Sequence, residues 1–391
     1  MIVRDDFLKA QYLLAHFPTL ALLGSRQVGK TTLAKSLAES FPVQNIYFDL
    51  ENDRDLFQFN TDAQSLLEKH LDKLVIIDEV QRMPRLFALL RSMIDAKLTP
   101  GRYLLLGSAS PDLIQGVSES LAGRVSYLTL YPISLPEAQR ANIDFTTHWF
   151  RGGYPNALLA PNDDIAEQWL DDYIKSYIER DLSVIYNINI DRTAIRNFWR
   201  MLASSNSSIL NVENYARALG IKSLLVQKYL DLLEGAYLIY RLPSWFFNVK
   251  KRVVKSPKVY ITDSGLLHRL NQIPSLDALE GHVLVGASWE GYVIQHIIQY
   301  KPRGIEVFYY RTQNGAEADV LLVKTDKPLA IIEIKNAATP TLTKGFYNCI
   351  IDLKTTQNFV ICKIKETLTD NTKGITYCNL MTFLNNYLLH F

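Results

Sequence analysis

The chain has 391 residues, 48% hydrophobic and 21% charged. That composition excludes a disordered or fibrous protein, and the length suits about two to four domains. A net charge of +2 gives no overall nucleic-acid signal, so any polyanion-binding surface has to be a local patch.

Cys349, Cys362 and Cys378 are scattered and odd in number, which reads as reduced structural thiols, and the seven separated histidines supply no zinc pattern. The N-terminal "MIVRDDFLKA" has no signal-peptide core, and no apolar run approaches the ~20 residues that span a bilayer. The expectation is a soluble, cytoplasmic chain without a membrane span.

"TLALLGSRQVGKTTLAKSLAESF" reads as a short apolar strand, a loop and an amphipathic helix. The loop matches G-x-x-x-x-G-K-[ST] through Gly24, Gly29, Lys30 and Thr31, with Ser25, Arg26, Gln27 and Val28 between the glycines and Thr32 beyond. Two glycines let backbone amides converge on phosphate oxygens at the positive end of the following helix. Lys30 is expected to reach the β- and γ-phosphates of ATP, and the Thr31 hydroxyl to ligate Mg²⁺. "NIYFDL" is a strand ending at Asp49, placed between this loop and the next nucleotide motif.

That motif is "KLVIIDEV", a buried strand running into two acids. Asp78 is read as the acid on the metal side, at the carboxyl end of a strand where open α/β sheets bind ligands. Glu79, directly after it, is placed to polarise the attacking water; its bland alternative is a solvated charge at a strand end. "RYLLLGSAS" brings Ser108 to the end of a further strand, as a γ-phosphate sensor or as a plain turn residue. Arg124, in "SLAGRVSYLTL", is either an arginine finger donated to a neighbouring subunit or a surface ion pair.

These residues resemble the AAA+ group of P-loop ATPases. More closely, "GSRQVGKTT", "VIIDEVQRMP", "LLLGSAS", "ESLAGRV" and "RGGYP" together resemble a prokaryotic family that joins an AAA ATPase domain to the domain of unknown function 4143. The resemblance covers almost the whole chain and implies an ATP-binding module with Mg²⁺, but names no substrate. Ser108 departs from the asparagine or threonine found at that place in many AAA+ proteins.

Further along, Ile165–Tyr186 has apolar residues at helical spacing and reads as a lid or linker helix packing on the ATPase core, with Arg180 either approaching the nucleotide or, more simply, paired to an acidic neighbour. "DRTAIRNFWRMLAS", "NVENYARALGI" and "KSLLVQKYLDLLEGAYLIYRL" give three helices, the last running into a strand. A basic loop, "FNVKKRVVKSPK", then leads to the strand "KVYITD". This order is that of a winged helix-turn-helix. Lys250, Lys251, Arg252, Lys255 and Lys258 gather in its wing, either as phosphate contacts, with DNA favoured over RNA, or as a solvated hairpin.

The last block opens with the helix "VGASWEGYVIQHIIQY", which carries Glu290. Next comes "DVLLVKTDKPLAIIEIK", read as two strands joined by a turn around Lys327-Pro328. Asp319 lies on the first, and Glu333 and Lys335 share one face of the second. Helix, hairpin and strand in this order resemble the PD-(D/E)XK nuclease-like fold. The resemblance implies that Asp319 and Glu333 hold Mg²⁺ or Mn²⁺, that Lys335 positions or activates water and that Glu290 supports the site. The bland reading is a nuclease fold kept as a binding module, its charges paired internally.

The expected architecture is α/β and multidomain: an AAA+ core at 1–135, a helical lid or linker at 136–190, a winged helix at 191–265 and a nuclease-like domain at 266–391. Two functions compete. One is an ATPase, in a homo-oligomer if Arg124 acts in trans, whose cycle drives nucleic-acid binding or processing. The other is a regulatory ATPase whose winged helix and inactive nuclease-like domain bind protein.

Overall fold

The computed structural model describes residues 2–109, 123–177, 182, 191–246 and 253–391. After helix α1 (Asp6–His16), strands β1 (Thr19–Leu23), β2 (Asn45–Asp49), β3 (Leu74–Asp78), β4 (Tyr103–Gly107) and β5 (Val125–Thr129) form a parallel sheet in the order β2-β3-β4-β1-β5. Strands β1, β3 and β4 are buried along their whole length, as apolar runs in a sheet covered on both faces should be. Alternate residues serve the two faces. Leu20 and Leu22 join α2 (Lys30–Ser40) in one core, while Ala21 and Leu23 join α4 (Leu86–Ala96) in another.

The expected strand Asn45–Asp49 lies between the two nucleotide motifs in sequence but at the sheet's edge in space. The strand that separates them is β4, so the ends of β1, β4 and β3 stand side by side. Gly24 follows β1 so closely beneath the backbone after β5 that an added Cβ would sit 2.2 Å from the Leu130 carbonyl oxygen. No side chain fits there.

Among the described residues, four helices follow the sheet: α5 (Leu135–Arg140), α6 (Phe145–Arg151), α7 (Pro155–Leu158) and α8 (Asp163–Ser176). The expected helix Ile165–Tyr186 is described only over its first part. Arg180 and residues 183–190 fall outside the described residues. Leu135 and Trp149 are buried in the C-terminal core, while Tyr154 and Tyr173 are buried in the nucleotide-domain core.

Helices α9 (Arg192–Ser204), α10 (Val212–Leu219) and α11 (Ser223–Gly235) come next, followed by the antiparallel pair β6 (Ile239–Leu242) and β7 (Lys258–Ile261). Asp191 caps α9, and Gly220, in the left-handed region at φ 66°, ends α10. Phe198, Trp199 and Leu230 of these helices join the same apolar cluster as β1 and α2.

After α12 (Ser264–Leu270), α13 (Leu276–Glu280) and α14 (Val285–Tyr300), the remaining strands are β8 (Glu306–Arg311), β9 (Glu317–Lys324), β10 (Lys327–Ile334), β11 (Gln357–Ile361), β12 (Leu368–Asp370) and β13 (Ile375–Cys378). They make a mixed six-stranded sheet in the order β12-β13-β11-β10-β9-β8. Helix α14 and the closing α16 (Leu380–Asn386) share a core on one face, and α15 (Lys344–Leu353) packs on the other. The turn between β9 and β10 is Thr325-Asp326, both at positive φ, rather than Lys327-Pro328, which already belongs to β10. Among the described residues no helix is long and apolar enough to cross a membrane.

Candidate functional site

Residues 24–32 wrap the amino end of α2, with Gly29 in the left-handed region at φ 97°. Residues 26–33 form one wall of a cavity of about 830 Å³. Ile2, Phe7 and Leu159 supply apolar surface on another wall, and Glu51 and Glu79 supply acid. Lys30, only 5% exposed, turns back on its own loop and donates to the carbonyls of Gly24 at 3.0 Å and Ser25 at 2.8 Å. Burial pulls its ammonium down to about 8, against the opposing pull of Glu79 and Asp78.

The Thr31 hydroxyl donates to Asp78 Oδ2 at 2.7 Å, and the same oxygen accepts from the Tyr47 phenol at 2.6 Å. The other carboxylate oxygen accepts the Glu79 amide at 2.9 Å. Glu79 takes a left-handed backbone at φ 53°, which turns the chain sharply off the strand. Its carboxylate accepts from the Gln81 side chain and from the Ser108 hydroxyl at 3.1 Å, and Gln81 also donates to Ser108 at 2.9 Å. Burial pushes the Glu79 carboxyl up, with Lys30 and Arg26 pulling it back.

Several contacts here join the loop to residues distant in sequence. Arg4 donates to the Val28 carbonyl inside the loop at 2.9 Å, to the Tyr131 carbonyl at 2.6 Å and to Glu137 at 3.0 Å. Arg26 pairs with Glu51, which also lies 3.7 Å from Arg82. Tyr154 donates to Ser25 Oγ at 3.0 Å and shares a hydrogen bond with Tyr173 at 3.1 Å. The amide of its neighbour Gly153 donates to Asp263, whose second oxygen caps α12 through the Leu266 amide. The signal for Tyr154 was the "RGGYP" stretch; Arg4 and Tyr47 had none beyond charge and strand position.

Arg124 is remote from its own cavity. Val125 pairs with Thr19 at the start of β1, whereas the phosphate loop follows the end of that strand, ~13 Å away by strand rise. Its guanidinium is paired twice with Asp95 of α4.

In the C-terminal sheet, Ile332 opposes Val320, which brings Asp319 and Glu333 onto neighbouring strands. The Ile334 amide donates to Asp319 at 2.9 Å, and Lys335 pairs with Glu333 at 2.7 Å. Glu290 arrives from α14 and accepts from Tyr260 at 2.5 Å. Burial and then Asp319 push the carboxyl of Glu290 up to about 7 and that of Glu333 up to about 8.

Two expectations are corrected here. Lys258, expected on a phosphate-binding wing, is 4% exposed and lies 3.2 Å from Glu290, 3.2 Å from Glu317 and 3.7 Å from Asp319. With that ammonium among them, the expected ligands Asp319, Glu333 and Glu290 do not form a metal site. Among the described residues, no three acids, histidines or cysteines are placed to hold an ion. Of the other basic residues, Lys250, Lys251 and Arg252 lie outside the described residues, and Lys255 is exposed with its ammonium 5.6 Å from the Phe246 ring centre.

Comparison with known proteins gives three family profiles in succession: "AAA domain" at residues 16–139, "Domain of unknown function (DUF8612)" at 142–277 and "Domain of unknown function (DUF4143)" at 285–383. Uncharacterized proteins of Mycobacterium bovis and Mycobacterium tuberculosis are each 36% identical over 351 residues, 90% of this chain and 78% of theirs. An uncharacterized protein of Haemophilus influenzae is 21% identical over 297 residues, 68% of this chain and 72% of its own. Among solved structures, a Walker-type ATPase of Pyrococcus abyssi matches with a TM-score of 0.46 and 14% identity, over 69% of this chain and 96% of that one.

Proposed function

The chain belongs to the family that joins a P-loop AAA domain to the domain of unknown function 4143, and from that membership we propose that it binds and hydrolyses Mg-ATP. The observation that carries this reading is the meeting of Thr31 with Asp78 at 2.7 Å beside Lys30, at the wall of the cavity. A hydroxyl and a carboxylate are hard oxygen donors, which suits Mg²⁺. Bound there with the nucleotide, Mg²⁺ would neutralise charge on the phosphate oxygens.

The remaining work falls to the chain's own groups. Lys30 exchanges the Gly24 and Ser25 carbonyls for phosphate oxygens, and the amides around Gly29 hold the same phosphates. Glu79 takes the proton of the attacking water, and its raised carboxyl is a better base than an exposed one. Ser108 and Gln81 hold that carboxylate in place. Ile2, Phe7 and Leu159 cover the base with apolar surface. Ser25, Tyr154, Gly153 and Asp263 make a chain of buried hydrogen bonds from the phosphate loop to α12, a route by which nucleotide occupancy reaches the rest of the protein.

What the cycle drives has two readings. Nucleic-acid processing rests on the basic residues around 250–255 and the nuclease-like order of elements. A regulatory ATPase whose C-terminal domain binds a partner without cutting is favoured by one observation, the neutralisation of Glu290 and Asp319 by Lys258.

The test uses Lys30→Met, Glu79→Gln and wild type. Lys30→Met should lose Mg-ATP binding. Glu79→Gln should bind it and hydrolyse ~10²–10⁴-fold more slowly. Wild-type turnover in Glu79→Gln would remove the base assignment. A DNA and RNA panel with Mn²⁺ separates the two outputs: salt-dependent binding or a cut polymer supports processing, and an intact polymer with an unchanged ATPase rate supports regulation.

A further inference from the structure

The motif G-x-x-x-x-G-K-[ST] accepts any residue between its glycines, and there this chain puts a guanidinium, Arg26. Arg26 lines the cavity together with Glu51 and Glu79. It pairs with Glu51, just past the end of β2, and the same carboxylate oxygen lies 3.7 Å from Arg82, just past β3. These strands are neighbours, with Asp49 opposite Asp78, so one carboxylate is held between two guanidiniums at their carboxyl ends. The three groups together carry one surplus positive charge beside the phosphate loop.

Electrostatics locates that charge. After burial, Glu79 and Asp78, Arg26 is the next influence on the Lys30 ammonium; after burial and Lys30, it is the next on the Glu79 carboxyl. A charge felt by both groups lies close to both. On the ATPase reading, on which this inference rests, Lys30 reaches the β- and γ-phosphates and Glu79 the attacking water, so Arg26 stands beside the terminal phosphate. Other guanidiniums are committed elsewhere. Arg4, which also lines the cavity, is bound to Glu137 and two carbonyls, and Arg124 is remote and bound twice to Asp95. The tie of Arg26 to Glu51 is readily exchanged, because that carboxylate is 42% exposed and ion pairs in water are weak.

We propose that Arg26 is a catalytic residue that neutralises the terminal phosphate within its own chain, and that Glu51 holds its guanidinium until a γ-phosphate takes it over. The water oxygen bonds to the γ-phosphorus while the bond from that phosphorus to the β–γ bridging oxygen breaks. The bonding pair stays with ADP, and the water proton goes to Glu79. Arg26 transfers no proton. It donates hydrogen bonds to the γ-phosphate oxygens and offsets the charge shifting towards the leaving oxygen. Glu51 keeps Arg82 beside it, so releasing Arg26 strands no carboxylate. Hydrolysis then needs no guanidinium from a neighbouring subunit.

The experiment compares full-length wild type, Arg26→Ala, Arg26→Lys, Arg124→Ala and Glu79→Gln, each shown folded by circular dichroism. Calorimetry reads Mg-ADP affinity with and without aluminium fluoride, which together with ADP imitates the transferring phosphoryl group, and ATP turnover is measured alongside. Arg26→Ala should bind Mg-ADP within ~threefold of wild type, lose at least ~100-fold in turnover, and lose the affinity that aluminium fluoride adds in wild type. Arg26→Lys should recover only part of either loss, because an ammonium offers no planar fork. Arg124→Ala should match wild type in both. Wild-type turnover and fluoride response in Arg26→Ala overturn the proposal, as does their loss in Arg124→Ala alone. An arginine that only packs the loop predicts Mg-ADP affinity falling as far as turnover, and that result also overturns it.

Glu51→Gln checks the exchange. With no carboxylate competing for the guanidinium, affinity for a non-hydrolysable ATP analogue should rise at least ~threefold relative to ADP, and an unchanged ratio refutes the holding role of Glu51. Should Arg26→Ala not fold, Arg26→Gln takes its place with the same expectations. The two readings fail separately. A wild type without turnover removes the ATPase reading and this proposal with it, whereas turnover lost in Glu79→Gln but kept in Arg26→Ala removes this proposal alone.

Discussion

The contact between Tyr154 and Ser25 ties the phosphate loop to the middle of the chain, and one hydroxyl tests it. Tyr154 is fully buried, with its hydroxyl on Ser25 Oγ at 3.0 Å and on the Tyr173 hydroxyl at 3.1 Å. Tyr154→Phe keeps the ring and its packing and leaves Ser25 and Tyr173, themselves 2% and 3% exposed, each one partner short. A typical intramolecular hydrogen bond contributes ~1 kcal/mol net, so the expected loss of stability is ~1–2 kcal/mol. If the same bonds hold the loop ready for phosphate, Mg-ATP affinity falls by up to ~5–30-fold. Urea unfolding reads the first quantity, and calorimetric titration with a non-hydrolysable ATP analogue reads the second. A lowered urea midpoint with wild-type affinity would mean that the contact only packs the loop and transmits nothing. Wild-type values for both would refute the contact itself.

Arg124→Ala should leave Mg-ATP affinity unchanged and lower hydrolysis if Arg124 serves a neighbouring subunit. Mixing it with Glu79→Gln should then restore part of the rate through composite sites, and a fully active monomer by light scattering would end that reading. A third expectation concerns pH. The raised Glu333 carboxyl keeps in the folded state a proton that the unfolded chain releases above 4.5, so the folded state binds more protons. Its contribution to stability should therefore fall as pH rises towards about 8. Other groups titrate over the same range, because burial holds His148, His268 and His296 at about 4, 4 and 3 in the folded state while the unfolded chain protonates them near 6.5, and Lys30 and Glu290 stand at about 8 and about 7. The comparison is therefore with Glu333→Gln: from pH 6.5 to 8 the urea midpoint of wild type should fall relative to that of Glu333→Gln, and parallel curves would show that Glu333 does not titrate as placed.

Much of the fold was legible because its signals are local. Apolar runs such as Leu74–Asp78 cannot be solvated, so they announce buried strands, and the glycines of the phosphate loop announce a turn that other residues cannot take. The caps Asp191 and Gly220 are local in the same way, since each meets the demand of a nearby helix end. The pair Thr31 and Asp78 needed only a loop and a strand end on one side of a sheet, and the structure brings them into contact.

What the sequence could not decide was where distant segments meet. Strand order is not written in any strand, so only the fold put β4, and with it Ser108, between the loop and Glu79. Arg4 and Tyr154 reach the phosphate loop across long stretches of chain, and neither carries a local pattern that names its partner. Lys258 shows the limit most plainly. In one dimension it belongs to a run of basic residues, and charge alone made it a phosphate contact. In three dimensions its strand packs against the C-terminal sheet. There, burying carboxylates without a cation would cost far more than burying a lysine among them, so the fold gives that ammonium to Glu290 and Asp319. Composition and motif determined which chemistry the chain carries. Only tertiary packing decided which charges face each other, because desolvation acts on neighbours in space and is indifferent to their distance in sequence.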